Sequence, residues 1–142
     1  MKNQKGATTV EFALGLVIFL TFLLGITDFG RMLFTWSAAN EATRAGARYA
    51  VVCDNTGNNA AVLSRMQQLL PQISNVATAW TPVGCDPTTC EGVTVSITGL
   101  TYRWISPIAG LAALAAIPMP NFSTYLPREV MRQDPNSNAI CS

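Results

Sequence analysis

The chain has 142 residues, which is enough for one small domain and one extended element but too few for two independent hydrophobic cores. Only 12% of the residues are charged and the formal net charge is +1, so there is no basic stripe to bind nucleic acid. Histidine is absent, which removes the commonest general base and the commonest metal ligand. We therefore expect no enzymatic activity, no metal and no cofactor, and we assign no catalytic residue.

The first predicted element is an apolar helix that crosses a membrane. No charged residue occurs from Phe12 to Thr27. At about 1.5 Å per residue, this run and its neighbours cover a hydrocarbon core of roughly 30 Å. Lys2 and Lys5 precede the run, and the next cation is Arg31. By the positive-inside rule, this asymmetry favours a cytoplasmic N-terminus and an exported C-terminal part.

The helix is predicted to continue beyond the membrane as far as Val52. No proline interrupts this stretch, and apolar or small residues recur at spacings of three and four, as on one face of an amphipathic helix. Asp28 with Arg31, and Glu41 with Arg44, have the i,i+3 spacing of ion pairs. The predicted parts are a transmembrane helix over 7–30, its extracytoplasmic continuation over 31–52 and a head domain over 53–142.

One carboxylate, that of Glu11, lies at the edge of the apolar run. A charged side chain at this position is costly unless it is paired or reaches the interface. An ordinary cleaved signal peptide needs a small-x-small site after the apolar core, and Gly25-Ile26-Thr27-Asp28 is a poor one. A plain membrane anchor leaves Glu11 unexplained, except as a side chain that snorkels to the interface.

The neighbouring residues offer a third interpretation. Gly6-Ala7-Thr8-Thr9-Val10-Glu11-Phe12, after a short basic leader, resembles the type IV pilin-like signal. The resemblance implies that a prepilin peptidase cuts between Gly6 and Ala7, so that residues 1–6 are a leader and Glu11 is the fifth mature residue. Glu11 and Phe12 would then set assembly and register, because the carboxylate neutralises the new α-amino group of a neighbouring subunit inside an apolar bundle.

Two further motifs extend the resemblance. With Asp28-Phe29-Gly30-Arg31 and Ala42-Thr43-Arg44-Ala45-Gly46-Ala47-Arg48, the first third of the chain resembles the TadE-like family, minor pseudopilins of the tight-adherence (Tad/Flp) pilus. The resemblance implies a pilus-assembly and adhesion role, with other pilins, the prepilin peptidase, the inner-membrane assembly platform and membrane lipid as partners. It places the protein in the inner membrane with a periplasmic head, or in an extracellular pilus. The alternative is a membrane-tethered periplasmic binding or scaffold protein that does not polymerise.

The four cysteines all follow the apolar run: Cys53, Cys85, Cys90 and Cys141. An even number of cysteines in an exported part favours two disulfides. A zinc site and free thiols are the less favoured alternatives, since the cysteine spacing does not match a zinc ribbon. The sequence does not fix the connectivity; the pairing we favour is Cys85–Cys90 and Cys53–Cys141.

The head is predicted to combine a short helix with a small sheet. Ala60 to Leu70 forms an amphipathic pattern that ends before Pro71. Val76 to Trp80 fits an edge strand, and the strict alternation from Val93 to Thr98 indicates a strand with one buried face. The expected fold class is therefore α+β: a long N-terminal helix, transmembrane and then amphipathic, that carries a disulfide-stapled head with a short antiparallel sheet.

The end of the sheet is less clearly patterned. The strand from Val93 is expected to continue to Trp104 after a break at Gly99, and Asn121 to Met131 is its expected partner, with Pro127 at an edge or bulge. Between them, Ile105 to Ile117 is apolar throughout and too short to span a bilayer. It is either a helix packed on the sheet or an apolar flap that meets the membrane surface or a neighbouring subunit.

Overall fold

A computed structural model describes residues 5–53, 58–86, 88–105, 116–128 and 141. Within these ranges the elements are α1 (Lys5–Val52), α2 (Asn59–Gln67), β1 (Val76–Thr81), β2 (Gly92–Ile97), β3 (Thr101–Tyr102), β4 (Ile117–Pro118) and β5 (Phe122–Pro127). The predicted α+β class, with a long N-terminal helix and a short antiparallel sheet, is confirmed.

The chain divides into two compact units. The first comprises Met1–Phe34 and Arg103–Ala116, and the second comprises Thr35–Tyr102 and Ile117–Ser142. Helix α1 contributes to both units, because it runs without interruption across the boundary after Phe34.

The second unit contains a three-stranded antiparallel sheet in the order β1-β2-β5. Its central strand, β2, alternates as predicted, so that Val93, Val95 and Ile97 are buried on one face. Each of these side chains contributes about 1.5–3 kcal/mol by leaving water. Strands β1 and β5 form the edges, as predicted for Val76 and for Pro127, where the missing N–H of a proline is tolerated.

The second half of α1 packs on the inner face of this sheet through small side chains. Ala39, Thr43 and Ala47 are buried along one side of the helix. The hydroxyl of Thr43 lies 2.8 Å from the hydroxyl of Thr124 on β5. The ring of Trp36 meets that of Phe122 edge-on, with 5.2 Å between centroids. The small side chains of α1 allow the helix backbone to lie close to the strands.

Helix α2 packs against α1 at Gly46. A Cβ atom added to Gly46 would lie 2.6 Å from the sulfur of Met66 and 3.3 Å from a methyl of Val62, so a larger residue does not fit without rearrangement. The side chain of Asn58 caps α2 by accepting a hydrogen bond from the N–H of Ala61 at 3.2 Å.

Two predicted boundaries, the end of the short helix and the start of the last strand, were wrong. Helix α2 ends at Gln67 rather than Leu70, because the N–H groups of Leu69 and Leu70 both donate to the carbonyl of Met66 and close the helix with a turn. This turn directs Leu70 into the core. Asn121 precedes β5, which covers Phe122–Pro127; residues 129–131 of the predicted strand lie outside the described residues.

Strand β2 does not continue to Trp104. The chain leaves the sheet after Ile97 and turns at Gly99, whose φ of 72° lies in the left-handed region that favours glycine. It then forms β3, which pairs with β4 in a separate two-stranded sheet. Of the apolar segment from Ile105 to Ile117, only the ends are described, so both interpretations of its centre stay predictions.

Both disulfides link the pairs favoured from the sequence. Cys53, directly after α1, is bonded to Cys141, and Cys85 is bonded to Cys90. The paired Cα atoms lie 5.5 and 5.0 Å apart, within the usual range for a disulfide. The long bridge joins positions 88 residues apart, and its loop contains most of the second unit, although residues 35–52 of α1 lie outside it.

Candidate functional site

The N-terminal half of α1 exposes its apolar side chains. By length and composition α1 is able to cross a membrane, and 0% of its most apolar window is buried within the chain. Phe12, Phe22 and Ile26 are each 70% exposed or slightly more. This part of the helix is a candidate membrane anchor.

Exposure of these apolar side chains to water is energetically costly. Fourteen large apolar side chains between Val10 and Phe34 are exposed. Each gains roughly 1.5–3 kcal/mol on full burial, so their exposure costs on the order of 20 kcal/mol. The net stability of a folded domain is only about 5–15 kcal/mol. An apolar partner, such as lipid or another apolar helix, would therefore stabilise this surface.

The four residues predicted for cleavage and assembly lie together at the start of α1. Gly6, Ala7, Glu11 and Phe12 are all exposed, and no atom lies within 4 Å of a Cβ built on Gly6. Among the residues that the structure describes, Glu11 has no hydrogen-bonding or ion-pairing partner within the chain. The arrangement leaves both the Gly6–Ala7 bond and the Glu11 carboxylate accessible to other molecules.

A second carboxylate in the first unit, that of Asp28, is buried and hydrogen-bonded. Asp28 is only 3% exposed. Its Oδ1 atom accepts a hydrogen bond from the backbone N–H of Ile105 at 3.2 Å and lies 3.4 Å from a guanidinium nitrogen of Arg31. The ion pair with Arg31 was predicted from its spacing. The bond to Ile105 was missed, because no local signal announces a contact between residues 77 apart.

The second unit contains a groove that the sequence did not reveal. It has a volume of about 560 Å³ and is lined by α1, by the chain after α2 and by β5. Glu41, Arg44 and Arg48 supply its polar side, and Leu69 and Leu126 supply its apolar side. Arg44 and Glu41 form the predicted ion pair at 3.1 Å, with both side chains about two-thirds exposed. Such an exposed pair contributes little to stability.

In the described part of the chain, no three histidine, cysteine, aspartate or glutamate side chains come close enough to hold a metal ion. The sulfur atoms of all four cysteines are engaged in disulfides.

The comparisons with known proteins concern the helix that carries these residues. The family model described as TadE-like protein matches residues 6–48. No curated protein and no solved structure matches the chain. The matched segment contains Gly6, Ala7, Glu11 and Phe12 and ends before Cys53. Residues 6–48 of this chain are therefore similar to TadE-like proteins, as the motifs of the sequence predicted.

Proposed function

We propose that the protein is a minor pilin or pseudopilin of a Tad-type pilus, a structural rather than an enzymatic subunit. It is inserted in the inner membrane, trimmed by a prepilin peptidase and assembled with other pilins through α1 to support pilus biogenesis and adhesion. The observation that supports this best is an apolar helical window of which 0% is buried within the chain, together with a lone carboxylate, Glu11, five residues after Gly6. The similarity of residues 6–48 to TadE-like proteins supports the same assignment.

The physical role of Glu11 follows from the proposed cleavage. Cutting after Gly6 leaves a cationic α-amino group on Ala7, since such groups have a pKa near 8 in peptides. In an apolar bundle this cation needs a counter-charge, and the carboxylate of a neighbouring subunit's Glu11 supplies it. Removing one partner of a buried ion pair costs about 3–5 kcal/mol, because the other charge stays buried and unpaired. That penalty would fix the axial register of adjacent helices.

The first test is the mass of the membrane-extracted protein. We expect the loss of Met1 to Gly6 in the wild type and an intact N-terminus in Gly6→Ala. An untrimmed wild-type protein in cells that contain an active prepilin peptidase would contradict the proposal. It would favour the alternative, a membrane-tethered periplasmic binding or scaffold protein, to which the groove beside Arg44 and Arg48 is suited.

The second test separates membrane insertion from assembly. Glu11→Gln keeps the size of the side chain and removes its charge, whereas Glu11→Asp keeps the charge and shortens the reach. We expect both variants to insert, and Glu11→Gln to reduce co-purification with other pilins at least about tenfold, given the cost of an unpaired buried amine. Glu11→Asp should retain more. Normal assembly of Glu11→Gln would exclude the pairing role.

A further inference from the structure

The burial of Asp28 is unusual for its place on α1. Its neighbours on other sides of the helix are exposed, with Ile26 at 71% and Phe29 at 53%, whereas Asp28 is only 3% exposed. A carboxylate leaves water at considerable cost unless hydrogen bonds and a counter-charge replace its hydration. Leu24, Gly25 and Met32, which lie on the same side of α1 as Asp28, are half-buried, so part of the chain covers this side of the helix.

One described contact on this side comes from Ile105, at the end of the segment Arg103–Ile105, which belongs to the same compact unit. The N–H of Ile105 donates to Asp28 Oδ1 at 3.2 Å, and the Arg31 guanidinium lies 3.4 Å from the same oxygen. The carboxylate thus fastens a distant stretch of chain to α1 at one defined level.

That level coincides with the end of the apolar run. Asp28 is the first charged residue after Glu11. From Ala7 to Asp28 the helix rises roughly 30 Å, which is about the thickness of the hydrocarbon core. If Ala7 lies at one boundary of the membrane, Asp28 lies at the other.

The fastened segment has the composition of a membrane-interface anchor. Trp104 is 37% exposed and Ile105 is 71% exposed. Arg103 is exposed beside them, and the Arg31 side chain keeps 46% of its surface accessible. Tryptophan concentrates at the headgroup level of membranes, and arginine forms bidentate hydrogen bonds with phosphate. The combination of two cations, an indole and an aliphatic side chain, contributed by this segment and by Arg31, fits a lipid surface.

We infer that Arg103–Ile105 is a second membrane contact: Asp28 holds it against α1, Trp104 and Ile105 enter the headgroup boundary, and Arg31 and Arg103 bind lipid phosphate. The inference rests on the proposed insertion of α1 in the membrane. This second contact would fix the depth of α1 in the membrane and its rotation about its own axis. The apolar span alone sets neither, because it is apolar on all sides.

The test uses the full-length protein in phosphatidylcholine vesicles that contain a minor fraction of phosphatidylglycerol. Trp36→Phe combined with Trp80→Phe leaves Trp104 as the single fluorophore. A matched variant, Trp36→Phe with Trp104→Phe, leaves Trp80, which is half-buried in the sheet, as the reference for a side chain shielded by protein. Quenching by lipids brominated near the headgroup is compared with quenching by lipids brominated near the chain ends.

We expect Trp104 to lose most of its fluorescence to the shallow bromines and little to the deep ones, and Trp80 to lose little to either. Flotation of the vesicles reports insertion separately. Failure to float would reject the membrane insertion itself, and the inference with it. Flotation without quenching of Trp104 would reject the inference alone. Quenching that declines as protein density rises would show that another copy of the chain, rather than lipid, covers Trp104, and would also overturn it.

The role of Asp28 is tested in the same single-tryptophan background. Asp28→Ala removes the acceptor of the Ile105 N–H, and Asp28→Asn keeps an oxygen in its place. We expect the preference for shallow bromines to be lost in Asp28→Ala and largely retained in Asp28→Asn. An unchanged profile in Asp28→Ala would exclude the fastening role. Near-ultraviolet circular dichroism of Asp28→Ala on the wild-type tryptophan background, compared with wild type, confirms that the second unit is still folded.

Discussion

The two disulfides are expected to contribute very different amounts to stability, because they close loops of different length. In the chain-entropy description, a bridge stabilises the folded state by restricting the unfolded chain, and the effect grows with the logarithm of the loop length. Cys53–Cys141 joins residues 88 apart, and Cys85–Cys90 joins residues 5 apart. The corresponding contributions to the free energy of unfolding are about 4.6 and about 2 kcal/mol.

The perturbation is to replace both cysteines of one bridge by serine, so that no unpaired thiol is left. Urea unfolding of the full-length protein in detergent micelles is followed by near-ultraviolet circular dichroism of the tryptophans. With a denaturant slope of about 1.5 kcal/mol per M, the midpoint should fall by about 3 M for Cys53→Ser/Cys141→Ser. The same slope predicts a fall of about 1.4 M for Cys85→Ser/Cys90→Ser.

The loss of the long bridge approaches the whole stability of a small domain, which is about 5–15 kcal/mol. We therefore expect the Cys53→Ser/Cys141→Ser variant to be partly unfolded without urea at elevated temperature, while the other variant stays folded. Equal losses from the two variants, or a larger loss from the short bridge, would refute the argument from loop length. The denaturant slope should rise more in Cys53→Ser/Cys141→Ser than in Cys85→Ser/Cys90→Ser, because losing the long bridge lets the unfolded chain expand and expose more surface.

Two further predictions concern the packing of α1. Gly46→Ala should gain about 1 kcal/mol of helix propensity and lose about 1–3 kcal/mol by crowding Met66, so the urea midpoint should fall. In the Gly46→Ala/Met66→Ala double variant, the loss of unfolding free energy should be smaller than the sum of the two single losses. Additive losses would contradict the crowding. Thr43→Val should cost about 1 kcal/mol, because it removes the hydroxyl that lies 2.8 Å from that of Thr124 and 2.8 Å from the carbonyl of Asn40. In the Thr43→Val/Thr124→Val double variant, the second substitution should add little to the cost of the first. Fully additive costs would show that the two hydroxyls do not interact.

Much of the fold could be predicted because it follows from local patterns. The alternation from Val93 to Ile97 fixes which face of β2 is buried, and the small residues from Ala39 to Ala50 mark the side of α1 that meets the sheet. The uncharged run after Glu11 has no polar face, so the sequence alone excluded an ordinary amphipathic helix there. The candidate assembly residues were also local, since Gly6 and Glu11 belong to one continuous motif.

The features that were missed depend on contacts between distant parts of the chain. The Asp28–Ile105 bond joins a helix to a loop, and neither residue type indicates it in advance. The end of β2 is not evident from the pattern, because apolar residues resume after Gly99, whereas the positive φ of Gly99 takes the chain out of the sheet. The groove at Arg44 and Arg48 exists only because Leu69 and Leu126 are brought beside α1 by tertiary packing.

The two halves of α1 differ in the size of their side chains. Up to Phe34 the helix presents large apolar residues that nothing in the described chain covers, whereas from Thr35 onward its buried positions are mostly alanine, glycine and threonine. Large exposed side chains gain most from an external apolar partner, because burial free energy scales with area. Small side chains gain little from area and instead permit close approach to strands and to α2. A helix that used small residues throughout would bind an external apolar partner weakly, and one that used large residues throughout would not pack closely against the sheet. The change of residue size near Thr35 therefore lets one continuous helix present an apolar surface at its start and pack in the core of a domain at its end.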